Sequence, residues 1–247
     1  MKKIFITATD TDAGKTFVSC ALIKALIKQI PQPIENTVAA FKPVAAGCEL
    51  VDGQLINEDA KLLSQYANCH QTISQINPIA FLEPIAPHIA AKQNNQNILI
   101  KDIEQYFNLV NELKADFVIV EGAGGWRLPL GAVANRQQFM SDFVKSKNLD
   151  VILVVNMKLG CLNHALLTYE AIKADGLNCI AWVANCASSE PMANLSQNIN
   201  ELQQLLPMPN IAQFNYLPQV DEHNKQVTLA DNISFAANQI DTSLFFN

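Results

Sequence analysis

Thr7-Ala8-Thr9-Asp10-Thr11-Asp12-Ala13-Gly14-Lys15-Thr16 joins an apolar run, Lys3–Thr7 (KIFIT), to a helix-like stretch, Phe17–Gln29. A strand that passes through a short polar loop into a helix turns a row of backbone N–H groups toward any anion at the helix start. The helix adds roughly +0.5 charge there. In the Gly14-Lys15-Thr16 ending, the lysine can bridge the β- and γ-phosphates of a nucleotide, and the threonine hydroxyl can ligate a divalent cation. The full loop pattern G-x-x-x-x-G-K-[ST] requires glycine at position 9, where this chain has Thr9. The pattern alone therefore fails, and a surface turn with a helix-opening Gly-Lys-Thr is the alternative. The strand–loop–helix setting favours phosphate.

Working outward, continuous apolar runs recur at Val38–Lys42, Phe117–Val120 (FVIV), Val151–Val155 (VILVV) and Ile180–Ala184 (IAWVA), with a last strand at Ile211–Phe214. Continuous rather than alternating runs suit parallel strands covered on both faces. Between them the spacing predicts helices at Asp59–Tyr66, Ile100–Leu113, Gln138–Lys147, His164–Asp175 and Asn194–Leu206. Pro31 and Pro33 close the first helix, Gln93–Asn97 is a loop, and Pro207–Pro209 breaks the chain before the last strand. Strand–helix alternation implies an α/β fold: a doubly wound, mainly parallel sheet flanked by helices, as in P-loop NTPases. No repeat and no linker divides the chain, so residues 1–247 are read as one domain. Ligands in such sheets bind beyond the carboxyl ends of the strands, where most of the chemically interesting residues fall.

Composition narrows the classes. Hydrophobic residues make up 49% and charged residues 16%, which excludes general disorder. A net charge of -6 and a pI near 5.2 argue against non-specific nucleic-acid binding. No apolar run reaches about 18 residues and no signal-peptide pattern opens the chain, so neither a membrane partner nor export is expected. The six cysteines, Cys20, Cys48, Cys69, Cys161, Cys179 and Cys186, form no CxxC pair and read as reduced thiols of a cytoplasmic protein.

Two strand ends carry charge. Lys42 ends the second strand before Pro43, at a rim from which it can reach the nucleotide crevice; a solvated strand-end lysine is the plain reading. Glu121 ends FVIV, where a carboxylate can hold Mg2+ across from the phosphate loop, and Gly122, Ala123 and Gly124 follow. Asp59 reads equally as a metal ligand or as a first-turn residue favoured by the helix dipole. Asn185, after IAWVA, reads equally as an adenine contact or an Asx-turn.

The blocks Thr9–Thr16, Phe41–Gly47 (FKPVAAG), Glu121–Gly125 (EGAGG), Lys158–His164 (KLGCLNH) and Trp182–Asn185 (WVAN) resemble, in order and spacing, the motifs of the dethiobiotin synthetases, from residue 3 to about residue 217. The resemblance implies an ATP- and Mg2+-dependent ligase that closes a cyclic urea on 7,8-diaminononanoate with CO2, through a carbamate and a carbamic–phosphoric anhydride. ATP is then a co-substrate and Mg2+ the metal cofactor. It implies Lys42, Lys15 and Thr11 as catalytic groups, and Thr16, Asp59 and Glu121 as metal ligands. It assigns the nucleotide to Asp12, Ala13, Gly14, Lys15, Thr16, Phe17, Asp59, Glu121, Gly122, Ala123 and Gly124, and at the base and ribose to Asn185, Cys186, Asn215, Tyr216, Leu217 and Glu222. It assigns the diamine to Ala46, Pro87 and His88, with a plain helix-start histidine as the alternative for His88, and its carboxylate to Gly160, Cys161, Leu162 and Asn163 at the next helix start. For Asn163, plain N-capping is the bland alternative. The resemblance further implies a homodimer in which that loop reaches the partner's site.

The chain departs from the family pattern at Ala8, Ala46, Asn156 and Cys186, which bears on substrate affinity more than on reaction class. A cobyrinic-acid-type amide ligase would usually add a glutaminase domain, for which 247 residues leave no room. A MinD- or ParA-like switch often carries a lysine early in the loop and a basic tail. Positions 9 to 13 hold no lysine, and Leu229–Asn247 is not basic.

Overall fold

The opening apolar run becomes β1 (Lys2–Ala8), and Ile4, Phe5, Ile6 and Ala8 are all buried. Their alternation divides them between two cores. Ile4, Ile6 and Ala8 pack into one cluster and Phe5 into the other, edge-on to Trp126 with ring centroids 6.0 Å apart. The computed structural model describes residues 1–28, 36–190, 192–217 and 226–246.

After β1 come α1 (Lys15–Lys28), β2 (Val38–Phe41), β3 (Val44–Ala45), β4 (Glu49–Val51) and β5 (Gln54–Ile56). Next are α2 (Glu58–Tyr66), α3 (Ile73–Ile76), β6 (Ile79–Ala80), α4 (Pro87–Gln93), α5 (Ile100–Glu112) and β7 (Phe117–Glu121). Then follow β8 (Pro129–Val133), β9 (Arg136–Phe139), α6 (Met140–Ser146), β10 (Asp150–Asn156) and α7 (Cys161–Ala174). The chain continues through β11 (Cys179–Asn185), α8 (Leu195–Leu205), β12 (Asn210–Phe214) and α9 (Leu229–Ala237).

The main sheet has six strands in the order β12-β11-β10-β1-β7-β2, every pair parallel. From β1 the chain goes out to β2 at one edge. It then returns through β7, passes β1, and builds β10, β11 and β12 on the other side. The reversal around β1 opens a crevice at the carboxyl ends of the strands, the usual ligand position in such sheets. Helices cover both faces. Residues of α1, α2 and α9 close one core, and those of α5 and α6 close the other around Phe41, Phe107 and Phe143. Beneath α7 and α8 a third cluster packs on Leu153, Val155 and Trp182.

The expected strands and the α/β architecture are present. Several boundaries differ. The stretch expected as helix at Gln138–Lys147 opens instead as β9, which forms an antiparallel hairpin with β8 through Ala134 and Asn135, both at positive φ. The helix expected from His164 begins at Cys161. Gly160, at φ 93°, takes the N-cap, a left-handed conformation that costs glycine little. Asn163 therefore lies inside the first turn and caps nothing. The first helix likewise starts at Lys15, two residues before the expected Phe17, and its expected closure at Pro31 and Pro33 lies outside the described residues.

Candidate active site

β2 and β7 pair with Phe41 opposite Val120, so the next residues, Lys42 and Glu121, emerge side by side at the carboxyl edge. Both are buried, at 3% and 0% exposure. The Lys42 Nζ donates to Glu121 Oε1 at 2.7 Å and lies 3.0 Å from Asp59 Oδ2. From the first turn of α1, the Thr16 hydroxyl donates to the same Glu121 Oε1 at 2.9 Å. Four side chains from β2, β7, α1 and α2 thus meet in one network. Asp59 reaches it because Asn57 caps α2, accepting the Ala60 N–H at 3.3 Å, which sets the first turn at the rim.

Charges here are mutually dependent. Burial alone would lower the Lys42 pKa, but the carboxylates of Glu121 and Asp59 outweigh it and hold the ammonium above the ordinary lysine value. Burial would raise Asp59, and the Lys42 ammonium overrides it, leaving that carboxyl below the ordinary aspartate value. Lys15 behaves oppositely: burial lowers its pKa, with Glu121 opposing. Its Nζ sits 3.5 Å from the Asp10 carbonyl.

The phosphate loop is stitched to its neighbours. The Thr9 N–H donates to Val154 O at 3.0 Å, and the Asn156 N–H donates to Thr9 Oγ1 at 3.1 Å. The Asp10 side chain accepts the Thr11 N–H at 2.8 Å and pairs with Lys158, which holds its carboxyl below the ordinary value. At the far end the Asn185 amide donates to Ala13 O at 2.8 Å. Gly14, at φ 84°, leaves no room for a side chain, since a Cβ there would stand 2.2 Å from Asn185 Nδ2.

A cleft of about 850 Å³ lies over this loop. Thr11, Asp12, Gly14, Lys15, Thr16, Phe17, Lys42, Ala46, Asp59, Pro87, Ala123, Gly124, Asn185, Cys186, Asn215, Tyr216 and Leu217, all singled out from sequence, line it. Phe17 is steadied edge-on by Phe214, with centroids 5.7 Å apart. Ala13, Glu121, Gly122 and His88 are not among the lining residues. Gly122 packs so tightly that a Cβ would meet the Phe5 ring at 2.8 Å. The buried Nδ1 of His88 has no hydrogen-bond partner among the described residues. Gly160, Cys161, Leu162 and Asn163 form the adjoining β10–α7 corner outside the cleft lining, with Leu159 beside them 94% exposed. Glu222 lies outside the described residues.

Sequence reading gave no role to Asn57, Leu128, Ala187, Leu229 and Asn232, which also line the cleft. A signal existed for α9: Thr228 and Asp231 form a capping box that starts the helix carrying Leu229 and Asn232. The lining divides by chemistry. One part is the phosphate loop with its lysines. The other, Ala45, Ala46, Pro84, Ile85, Ala86, Pro87 and Leu128, is apolar.

A divalent cation suits the donor set. The buried Oε2 of Glu121 has no hydrogen-bond partner among the described residues. Thr16, Asp59 and Glu121 offer only oxygen, the ligand type hard cations take. Among the described residues no group of three or more His, Cys, Asp or Glu side chains provides a different metal centre.

An AAA domain family model matches residues 2–224. The ATP-dependent dethiobiotin synthetase BioD of Alteromonas mediterranea is 46% identical over 222 residues, covering 87% of this chain and 93% of that protein. The enzyme of the same name from Pseudoalteromonas translucida is 42% identical over 234 residues, covering 95% and 99%. That from Legionella pneumophila (strain Paris) is 42% identical over 218 residues, covering 87% and 94%. Among solved structures, a ParA family ATPase from Chlorobium tepidum TLS superposes with a TM-score of 0.51 at 14% identity, covering 97% of this chain and 92% of that one. At that identity the likeness establishes the fold alone.

Proposed function

The chain belongs to the ATP-dependent dethiobiotin synthetases, ligases that form C–N bonds, and on that premise we propose that its cleft closes a cyclic urea on 7,8-diaminononanoate with CO2 and ATP, in biotin biosynthesis. The observation that carries the reading is the network of buried Lys42 and Glu121 with the half-buried Thr16 and Asp59 at the head of the phosphate loop, beside an apolar wall. The loop and Lys15 hold the triphosphate. The apolar wall takes the diamine's aliphatic chain, which leaves its amines at the polar end.

One amine adds to CO2 and loses a proton, giving a carbamate. The carbamate oxygen attacks the γ-phosphorus, the bond to the β-phosphate oxygen breaks, and ADP leaves. The second amine attacks the carbamoyl carbon; phosphate departs, the amine gives up a proton, and the ring is closed. Negative charge builds on carbamate and phosphoryl oxygens in the middle step. Lys42, kept protonated by its carboxylate neighbours, is the group suited to stabilise it. Thr11 lines the same reach of the cleft and is assigned to this step with Lys15 and Lys42. Thr16, Asp59 and Glu121 would hold Mg2+, which when bound neutralises phosphate charge. Asn185, Cys186 and Asn215–Leu217 are assigned to the base. The corner Gly160–Asn163 is assigned to the diamine's carboxylate through exposed N–H groups and the Asn163 amide, in a homodimer of single-domain chains.

Turnover with ATP, Mg2+, 13C-bicarbonate and 7,8-diaminononanoate tests the reading. The label is expected in the ureido carbon of the product, with one phosphate released per ring. ATP hydrolysis without incorporation of label would sink it.

A further inference from the structure

We infer that Asn185 is a positioning residue for the phosphate loop, aiming the Gly14 N–H into the cleft by holding the opposite end of the same peptide group. This rests on the reading of the cleft as a nucleotide site. The Asn185 amide, 5% exposed at the end of β11, donates to Ala13 O at 2.8 Å. The Ala13–Gly14 peptide is planar and trans, so its C=O and N–H point in opposite directions. Fixing the carbonyl toward β11 fixes the N–H away from it. Gly14 lines the cleft, and among the described residues its N–H meets no backbone acceptor.

The peptide needs such a hold. Asp12 and Gly14, on either side of Ala13, both sit at positive φ, 57° and 84°. Left-handed backbone is unfavourable for an L-residue such as Asp12, so the local chain preference does not by itself hold this arrangement. The loop's start is already anchored to β10 through Thr9. Asn185 is the donor to Ala13 O among the described side chains, and no backbone N–H bonds that carbonyl outside α1. The side chain keeps its oxygen and a second N–H, so holding the loop does not preclude touching a base.

The two roles separate on a ligand without a base. Binding of ATP and of inorganic tripolyphosphate, each with Mg2+, is measured by calorimetry for the wild type, Asn185→Ala and the near-isosteric Asn185→Leu. The Gly14 amide proton is followed by NMR. Wild type is expected to bind both ligands, with the Gly14 proton moving downfield on tripolyphosphate. Both variants should lose roughly tenfold in tripolyphosphate affinity, because the loop would hold the binding-competent orientation only part of the time, and lose the Gly14 shift. In turnover, KM for ATP should rise while KM for the diamine stays. Thermal melts identify a variant that has not folded, and the leucine variant, which keeps the volume, then carries the test. Weakened ATP binding with unchanged tripolyphosphate binding and an intact Gly14 shift would overturn the inference and leave Asn185 a base contact. Wild type that binds ATP but not tripolyphosphate would also overturn it, because a preset loop takes phosphates unaided. Wild type that binds neither removes the nucleotide reading itself.

Discussion

Lys15 and Lys42 bring the same charge to the same cleft through different surroundings. Lys15 is held by burial and a carbonyl at 3.5 Å, whereas Lys42 is clamped between two carboxylates. Their substitutions should therefore part company. Lys15→Ala is expected to lower ATP affinity and kcat together. Lys42→Ala is expected to lower kcat by about a hundredfold or more with ATP affinity nearly intact, since in the proposed mechanism its charge matters most as the anhydride forms. Steady-state kinetics with a parallel ATP-binding measurement checks both, and a near-normal kcat for Lys42→Ala would remove it from the chemistry. Lys42 was legible because an apolar run that stops at a charge marks the carboxyl edge of a parallel sheet, and Lys15 because Gly-Lys-Thr after a strand and a polar loop marks a helix start. The Asn185 bond to Ala13 was not. It joins residues far apart in sequence, and an asparagine after a strand gives no sign of whether it turns the chain, reads a base or holds a loop.

Among the elements, α2 best links local structure to the site. Its Asn57 cap and first-turn acids are what any helix start favours, yet Asp59 is also drawn into the Lys42 network. Its pKa is depressed in the folded protein, so it contributes stability that is present above the unfolded value and lost as pH falls through the lower, folded one. Melting temperature should accordingly drop below the ordinary aspartate value of 3.8 more steeply in the wild type than in Asp59→Asn. Equal acid limbs in the two proteins would show that the pair does not couple to folding. Element reading succeeded for the long buried strands and failed for short pieces. The strands β3 and β6 are two residues each and the hairpins β4–β5 and β8–β9 are largely exposed, so neither leaves an apolar run to detect. The expected start of α7 at His164 fell three residues late, because the left-handed backbone of Gly160, which the side-chain pattern does not reveal, lets the helix begin at Cys161.

At the scale of the whole molecule, none of the described helices is long and apolar enough to cross a membrane. The proposed homodimer gives the β10–α7 corner its purpose, because that corner lies outside the cleft lining of its own chain. Asn163→Ala should raise KM for the diamine while ATP affinity stays nearly unchanged. Mixing Asn163→Ala with Lys42→Ala subunits then tests sharing. If each site draws Asn163 from the other subunit, one site of a mixed dimer carries both defects and the other neither, so activity at limiting diamine partly recovers. Activity equal to the mean of the two parents would mean that each site is built within one chain. The central sheet and the order of its motifs were legible throughout, whereas this corner's role is a matter of neighbours that one chain's sequence does not describe.

The position of β1 has a consequence for how the molecule comes into being. It is made before the other strands of the sheet, yet its partners begin at Phe117 and Asp150. At about 5–20 residues per second, β1 waits on the order of ten seconds for its first neighbour. During that interval an apolar strand has both edges unpaired, the state most open to association with other chains. The phosphate loop cannot close earlier, since Thr9 is tied to Val154 and Asn156, and Ala13 to Asn185. Nucleotide therefore has no finished loop to bind until β11 has been made.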